Sequence, residues 1–160
     1  MILLLLLCGC GAQSSWQVSH LQSGSSTFDS SRVLFSSNDP INGIVVELIR
    51  SDGQILAYLL VHTQETIPYE DNPKEAIVRL IMPDKTIESI AHRHEGGQRL
   101  LLTESLQQTL LDALKLEKDV TIELMGYRTT LSGKGFADSY AALQKTPLRN
   151  PLQPPVPIDL

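Results

Sequence analysis

The sequence predicts an α+β fold: a mainly antiparallel β sheet or small sandwich with one amphipathic helix and a short C-terminal helix. Three observations lead there. Apolar runs are joined in pairs by tight-turn residues, one later segment switches to helical spacing, and strands do not alternate with helices as parallel units require.

Taken in order, Val33-Leu34-Phe35 is a short apolar run that reads as a first strand, and Asn38-Asp39-Pro40 reads as a turn. Ile44–Arg50 and Ile55–Thr63 follow, separated by Ser51-Asp52-Gly53-Gln54. Asp-Gly between two aliphatic runs is a strong hairpin signal. Ile44, Val46 and Leu48 share one face, opposite Val45, Glu47 and Ile49. Because both runs are apolar at nearly every position, this hairpin is expected to be central and covered on two sides. The segment from Thr66 to Pro73 carries Pro68, Asp71 and Asn72 and is expected to be a loop. A second hairpin is predicted from Glu75–Met82 and Thr86–His94 around Pro83-Asp84-Lys85, and a further strand from Gln98 to Leu102.

The period then changes. Thr103 is placed to cap a helix, Glu104 suits the positive end of its dipole, and Leu106, Leu110, Leu111 and Leu114 form one apolar stripe. Gln107, Gln108 and Asp112 fall toward solvent. Val120, Ile122 and Leu124 alternate with Thr121 and Glu123, the pattern of a strand buried on one face. Gly126 marks a bulge or bend before Tyr127–Leu131. Phe136, Tyr140 and Leu143 line one side of a short helix over Phe136–Lys145.

The flanks have another character. Residues 10–31 are rich in serine and glutamine and poor in apolar area that could offset backbone ordering, so they read as a tether. Trp16 is expected there as an exposed or loosely packed side chain. Residues 146–160 hold Pro147, Pro151, Pro154, Pro155 and Pro157 and read as an extended tail with Pro-x-x-Pro spacing. The organisation expected is a signal segment over 1–9, a tether over 10–31, a globular domain over 32–145 and a tail over 146–160.

The chain opens with an apolar run ending in Leu7-Cys8-Gly9-Cys10. The run is far short of the ~20 residues that span a bilayer. Branched residue, small residue, then cysteine resembles the lipobox of bacterial lipoproteins. That resemblance implies cleavage after Gly9, an acyl-bearing lipid such as palmitate on the sulfur of Cys10, and a place in the cell envelope, periplasmic or outer-surface. No Lys or Arg precedes Arg32, so either translation starts upstream or the signal is short. Leu111-Asp112-Ala113-Leu114-Lys115, Val120–Leu124, Gly135-Phe136 and Ala141-Ala142-Leu143 together resemble the C-terminal part of the invasion-associated locus B family of envelope proteins. No function is carried over from that family, which usually has cysteines in its folded region. Here both cysteines, Cys8 and Cys10, lie in the leader stretch.

Composition narrows the function further. The length of 160 residues suits one domain, and a formal charge of −5 argues against nucleic acid, which is held by lysines and arginines that neutralise phosphates. The most suggestive chemistry is Glu88, His92, His94 and Glu95, because alternate strand positions share a face and His-x-His with a third ligand suits zinc. His62 is a further candidate ligand. Ile90 shares that face, however, and no helical His-Glu-x-x-His is present, so no metal and no cofactor is assigned. No serine lies in a Gly-x-Ser-x-Gly elbow, and Ser132-Gly133-Lys134-Gly135 lacks phosphate-loop spacing. The expected function is that of a lipid-anchored envelope protein with a structural or protein-binding role, partnered by the membrane through Cys10. The alternatives are a small metal-dependent enzyme using His92 and His94, and a ligand-binding β domain without chemistry.

Overall fold

A computed structural model describes residues 16–21, 30–37, 39, 41–51, 53–62 and 65–145. The leader, Cys10 and the proline-rich tail lie outside the described residues.

The chain forms β1 (Trp16–Leu21), β2 (Ser30–Phe35), β3 (Ile44–Ser51), β4 (Gln54–Val61), β5 (Glu75–Ile81), β6 (Thr86–Arg93) and β7 (Arg99–Leu102) before the first helix. Then come α1 (Glu104–Lys115), β8 (Val120–Leu124), β9 (Tyr127–Leu131) and α2 (Phe136–Lys145). The nine strands among the described residues make one antiparallel sheet in the order β1-β2-β3-β4-β7-β6-β5-β8-β9. The fold is therefore α+β and mainly β, with a single open sheet in place of a sandwich. The sheet curls strongly. The N–H of Ile44 at the start of β3 donates to Oγ1 of Thr129 on β9 at 2.6 Å, although the two strands are far apart in the sheet order.

One face of this sheet is the core. Ile44, Val46, Ala57, Leu59, Val78, Leu80, Leu100, Ile122 and Leu131 are fully buried on it. The stripe of α1 joins the same cluster through Leu106, Leu110, Leu111 and Leu114, as does α2 through Phe136 and Leu143. Each leucine removed from water in this way is worth about 1.5–3 kcal/mol before the cost of ordering it. Thr103 does occupy the N-cap of α1 with extended backbone, but its side chain makes no capping hydrogen bond.

Part of the stretch read as a tether is a strand. Trp16–Leu21, inside the stretch read as flexible, pairs with the whole of β2 from Trp16↔Phe35 to Leu21↔Ser30. Nor is Trp16 exposed. Its indole N–H donates to the carbonyl of Ser132 at 2.7 Å, and its ring centroid lies 4.8 Å from those of Phe35 and Phe136. An edge strand that buries one large side chain needs little apolar sequence, which is why the serines masked it.

The β3–β4 hairpin is central, as its sequence suggests, but it is covered on one side only. Behind the buried Ala57, Leu59 and Val61, the other face of β4 shows Leu56 exposed and Tyr58 and Leu60 half-buried. Met125 and Gly126 have φ of 50° and 88°, so the link from β8 to β9 is a two-residue turn with positive φ at both positions. That geometry matches strand twist, and it replaces the bulge or bend expected at Gly126.

Candidate functional site

The solvent-facing side of the sheet carries the polar chemistry. Glu47 is the one carboxylate of β3, and it is buried although it points away from the core. Its carboxylate accepts from Arg32 on β2 at 3.3 Å and from Arg99 on β7 at 3.1 Å. The Arg99 guanidinium also lies over the ring of Tyr58, 3.8 Å from its centroid. Tyr58 is the direct cross-strand neighbour of Glu47, and the ring of His94 sits 5.7 Å from it on the far side. Four strands and the segment after β6 thus contribute to one polar stripe. Two guanidiniums around one carboxylate leave a surplus positive charge on this stripe.

A second stripe crosses β5, β6, β8 and β9. Arg79 reaches both Glu88 and Glu123, and Glu123 also receives Arg128. The Arg128 guanidinium, and then that of Arg79, hold the Glu123 carboxyl below the usual glutamate range. Both carboxylates raise the Arg79 guanidinium further.

Beside the first stripe the sheet opens. β7 pairs with β4 only over Tyr58–Leu60 and with β6 only over Ala91–Arg93, after which the chain turns into α1. The early residues of β4 and β6 are left with no strand between them among the described residues. A groove of about 500 Å³ lies there, lined by Leu56, His92, Leu101, Glu104 and Gln107 among others. Gln107, expected to face solvent, instead bonds to the backbone of β4 at the groove floor.

The residues singled out as ligands do not make one centre. Glu88 and His92 do share the solvent-facing side, but they are four strand steps apart, about 13 Å, too far for one ion to bridge. Glu88 is occupied by Arg79. His94 lies past the end of β6 against Tyr58. His62 is exposed after β4, where its carbonyl accepts from Gln98 at 3.4 Å. Glu95 is exposed in the turn before β7. No group of three or more His, Cys, Asp or Glu side chains placed to hold a metal occurs among the described residues.

The loop from Glu65 to Lys74 is organised by Arg93. Its guanidinium donates to the carbonyls of Thr66 at 2.9 Å and Pro73 at 3.1 Å and pairs with Glu65 at 3.0 Å. Gly97 has φ of 64° and a Cβ there would lie 2.1 Å from that guanidinium, so a larger residue would strain the backbone and push Arg93 off the loop. Sequence reading missed Arg32, Glu47, Tyr58, Arg99 and Gln107. Glu47 had a visible signal, a single carboxylate inside Ile44–Arg50. The others become partners only through sheet order. No helix among the described residues is long and apolar enough to cross a membrane. The chain matches no protein-family model, no curated protein and no solved structure, so the lipoprotein and envelope-family resemblances rest on their own residues.

Proposed function

We propose that this chain is a lipid-anchored cell-envelope protein, attached to a membrane through Cys10, whose sheet domain has a protein-binding role. The observation that carries the reading is the order Leu7-Cys8-Gly9-Cys10 directly after an apolar run. Support for a binding role comes from the solvent-facing side of the sheet. There the groove beside Leu56 and Leu101 adjoins the Arg32–Glu47–Arg99–Tyr58 stripe, giving apolar surface rimmed by oriented charge. Arginine and tyrosine are the residue types that carry most energy at protein interfaces. The stripe would choose the partner and the groove would supply contact area.

Growth on labelled palmitate in a bacterial host, comparing the parent with Cys10→Ser, tests the anchor. Label in the parent and none in the variant is expected; equal labelling rejects the reading. A photo-crosslinking residue at Leu56 then tests the binding surface. It is expected to capture one discrete envelope protein, and a capture pattern identical to that from a site on the opposite end of the sheet counts against it.

A further inference from the structure

We propose that the end of the domain around Trp16 and Leu116 rests against the lipid bilayer. This inference depends on acylation of Cys10 and adds to it an orientation. Trp16 begins β1, so six residue steps connect it to Cys10. Six steps reach at most about 20 Å in any conformation. Had the fold begun at residue 32, the leash would allow any face to turn toward the membrane. With β1 in the sheet, the bilayer is held near one end.

The residues at that end are fixed by contacts. Trp16 donates to the carbonyl of Ser132 at 2.7 Å. The next residue, Gly133, packs so closely on the α1–β8 connection that a Cβ there would lie 2.4 Å from the carbonyl carbon of Glu117. Leu116 sits in that connection and is 70% exposed, the highest value for any large apolar side chain among the described residues. A single exposed leucine needs no partner by itself, but at the end tied to Cys10 a bilayer surface would cover it. The charges nearby are mixed. Lys118 pairs with Asp84 at 3.5 Å, and the carboxylate of Asp119 accepts from the N–H of Gly133 at 3.2 Å. Lys115 and Lys134 are exposed there too, as is Glu117, so the surface around Leu116 carries both signs and does not single out anionic lipid.

Ile67 provides a matched control. It is 62% exposed and its N–H donates to the sulfur of Met125, at the far end of the β8–β9 hairpin. The test places a nitroxide on Leu116→Cys or Ile67→Cys in the full acylated chain, bound to phosphatidylcholine vesicles. Collision with oxygen and with a water-soluble nickel chelate is then measured. At Leu116 the expected result is several-fold protection from nickel on vesicle binding; at Ile67 no change is expected. Equal nickel accessibility at both sites, in protein whose acylation is verified by mass, overturns the orientation while leaving the anchor intact. Protection of Leu116 without vesicles, rising with protein concentration, assigns that surface to a second copy and also overturns it. A mass showing no acyl group instead removes the anchor reading itself.

Discussion

Gln107 of α1 stands beside Ala57 of β4 as a strand residue would. Its Oε1 accepts the Ala57 N–H at 2.9 Å and its Nε2 donates to the Ile55 carbonyl at 2.8 Å. One side-chain amide thus completes the edge of β4 where the short β7 stops. The helix and the sheet are joined there by polar geometry as well as by the leucine stripe.

Replacing Gln107 with Ala therefore leaves a donor and an acceptor of β4 without their partner. The expected loss is about 1–3 kcal/mol, measured by urea denaturation. Gln107→Glu keeps the acceptor for Ala57 but sets an oxygen against the Ile55 carbonyl, and is expected to rescue little. Full rescue by Glu would show that the amide orientation is immaterial.

The turn between β8 and β9 predicts opposite effects at adjacent positions. Gly126 has φ of 88° with nothing within 4 Å of a would-be Cβ, so Gly126→Ala is expected to cost about 1 kcal/mol through backbone conformation alone. Met125 is held at φ of 50°, where asparagine is more at ease. Met125→Asn is expected to raise stability by about 0.5 kcal/mol, the backbone gain being partly offset by loss of the sulfur that accepts the Ile67 N–H. Thermal melts of the two variants check the signs, and a gain from Gly126→Ala would contradict the turn geometry.

Glu47→Gln removes the charge shared by two arginines while keeping the shape. Because the Arg32 and Arg99 side chains are 53% and 40% exposed, water recovers part of the loss. The cost is expected near 1–2 kcal/mol, well under that of splitting a fully buried pair. High salt is expected to narrow the gap between parent and variant, and a gap unchanged by salt would argue against an electrostatic role.

Acid acts on the second stripe. Glu123 has a carboxyl lowered chiefly by Arg128 and next by Arg79. A group lowered in the folded state stabilises it above the ordinary glutamate pKa, and that contribution is lost as pH falls through the lowered value. Carboxyl resonances followed by NMR titration should place Glu123 below a normal glutamate, and Arg128→Ala should return it upward. No movement in that variant would contradict the assigned cause.

Much of the fold was legible because period and turn chemistry agreed. The Asp-Gly hairpin, the Val120–Leu124 alternation and the α1 leucine stripe all lie where their spacing puts them. Trp16–Leu21 was not legible, since an edge strand with one buried ring resembles a polar linker until its partner is known. Gln107 was hidden for a related reason: helical spacing gives the face a residue occupies, but not that a strand edge lies against it. The outer stripe depends on sheet order, which places β7 between β4 and β6 and so brings Arg99 to Glu47 from 52 residues away. Local sequence carries no record of that adjacency. The paired histidines had the converse fault, since a shared face was visible but the distance along the strand ruled out a common centre with Glu88.

The central claim is a covalent one, and the mass of the N-terminal peptide from membrane-extracted protein tests it most directly. A chain that begins at Cys10 and carries a diacylglyceryl group on its sulfur is the expected result. A peptide that retains Met1–Gly9 with an unmodified Cys10 would contradict it.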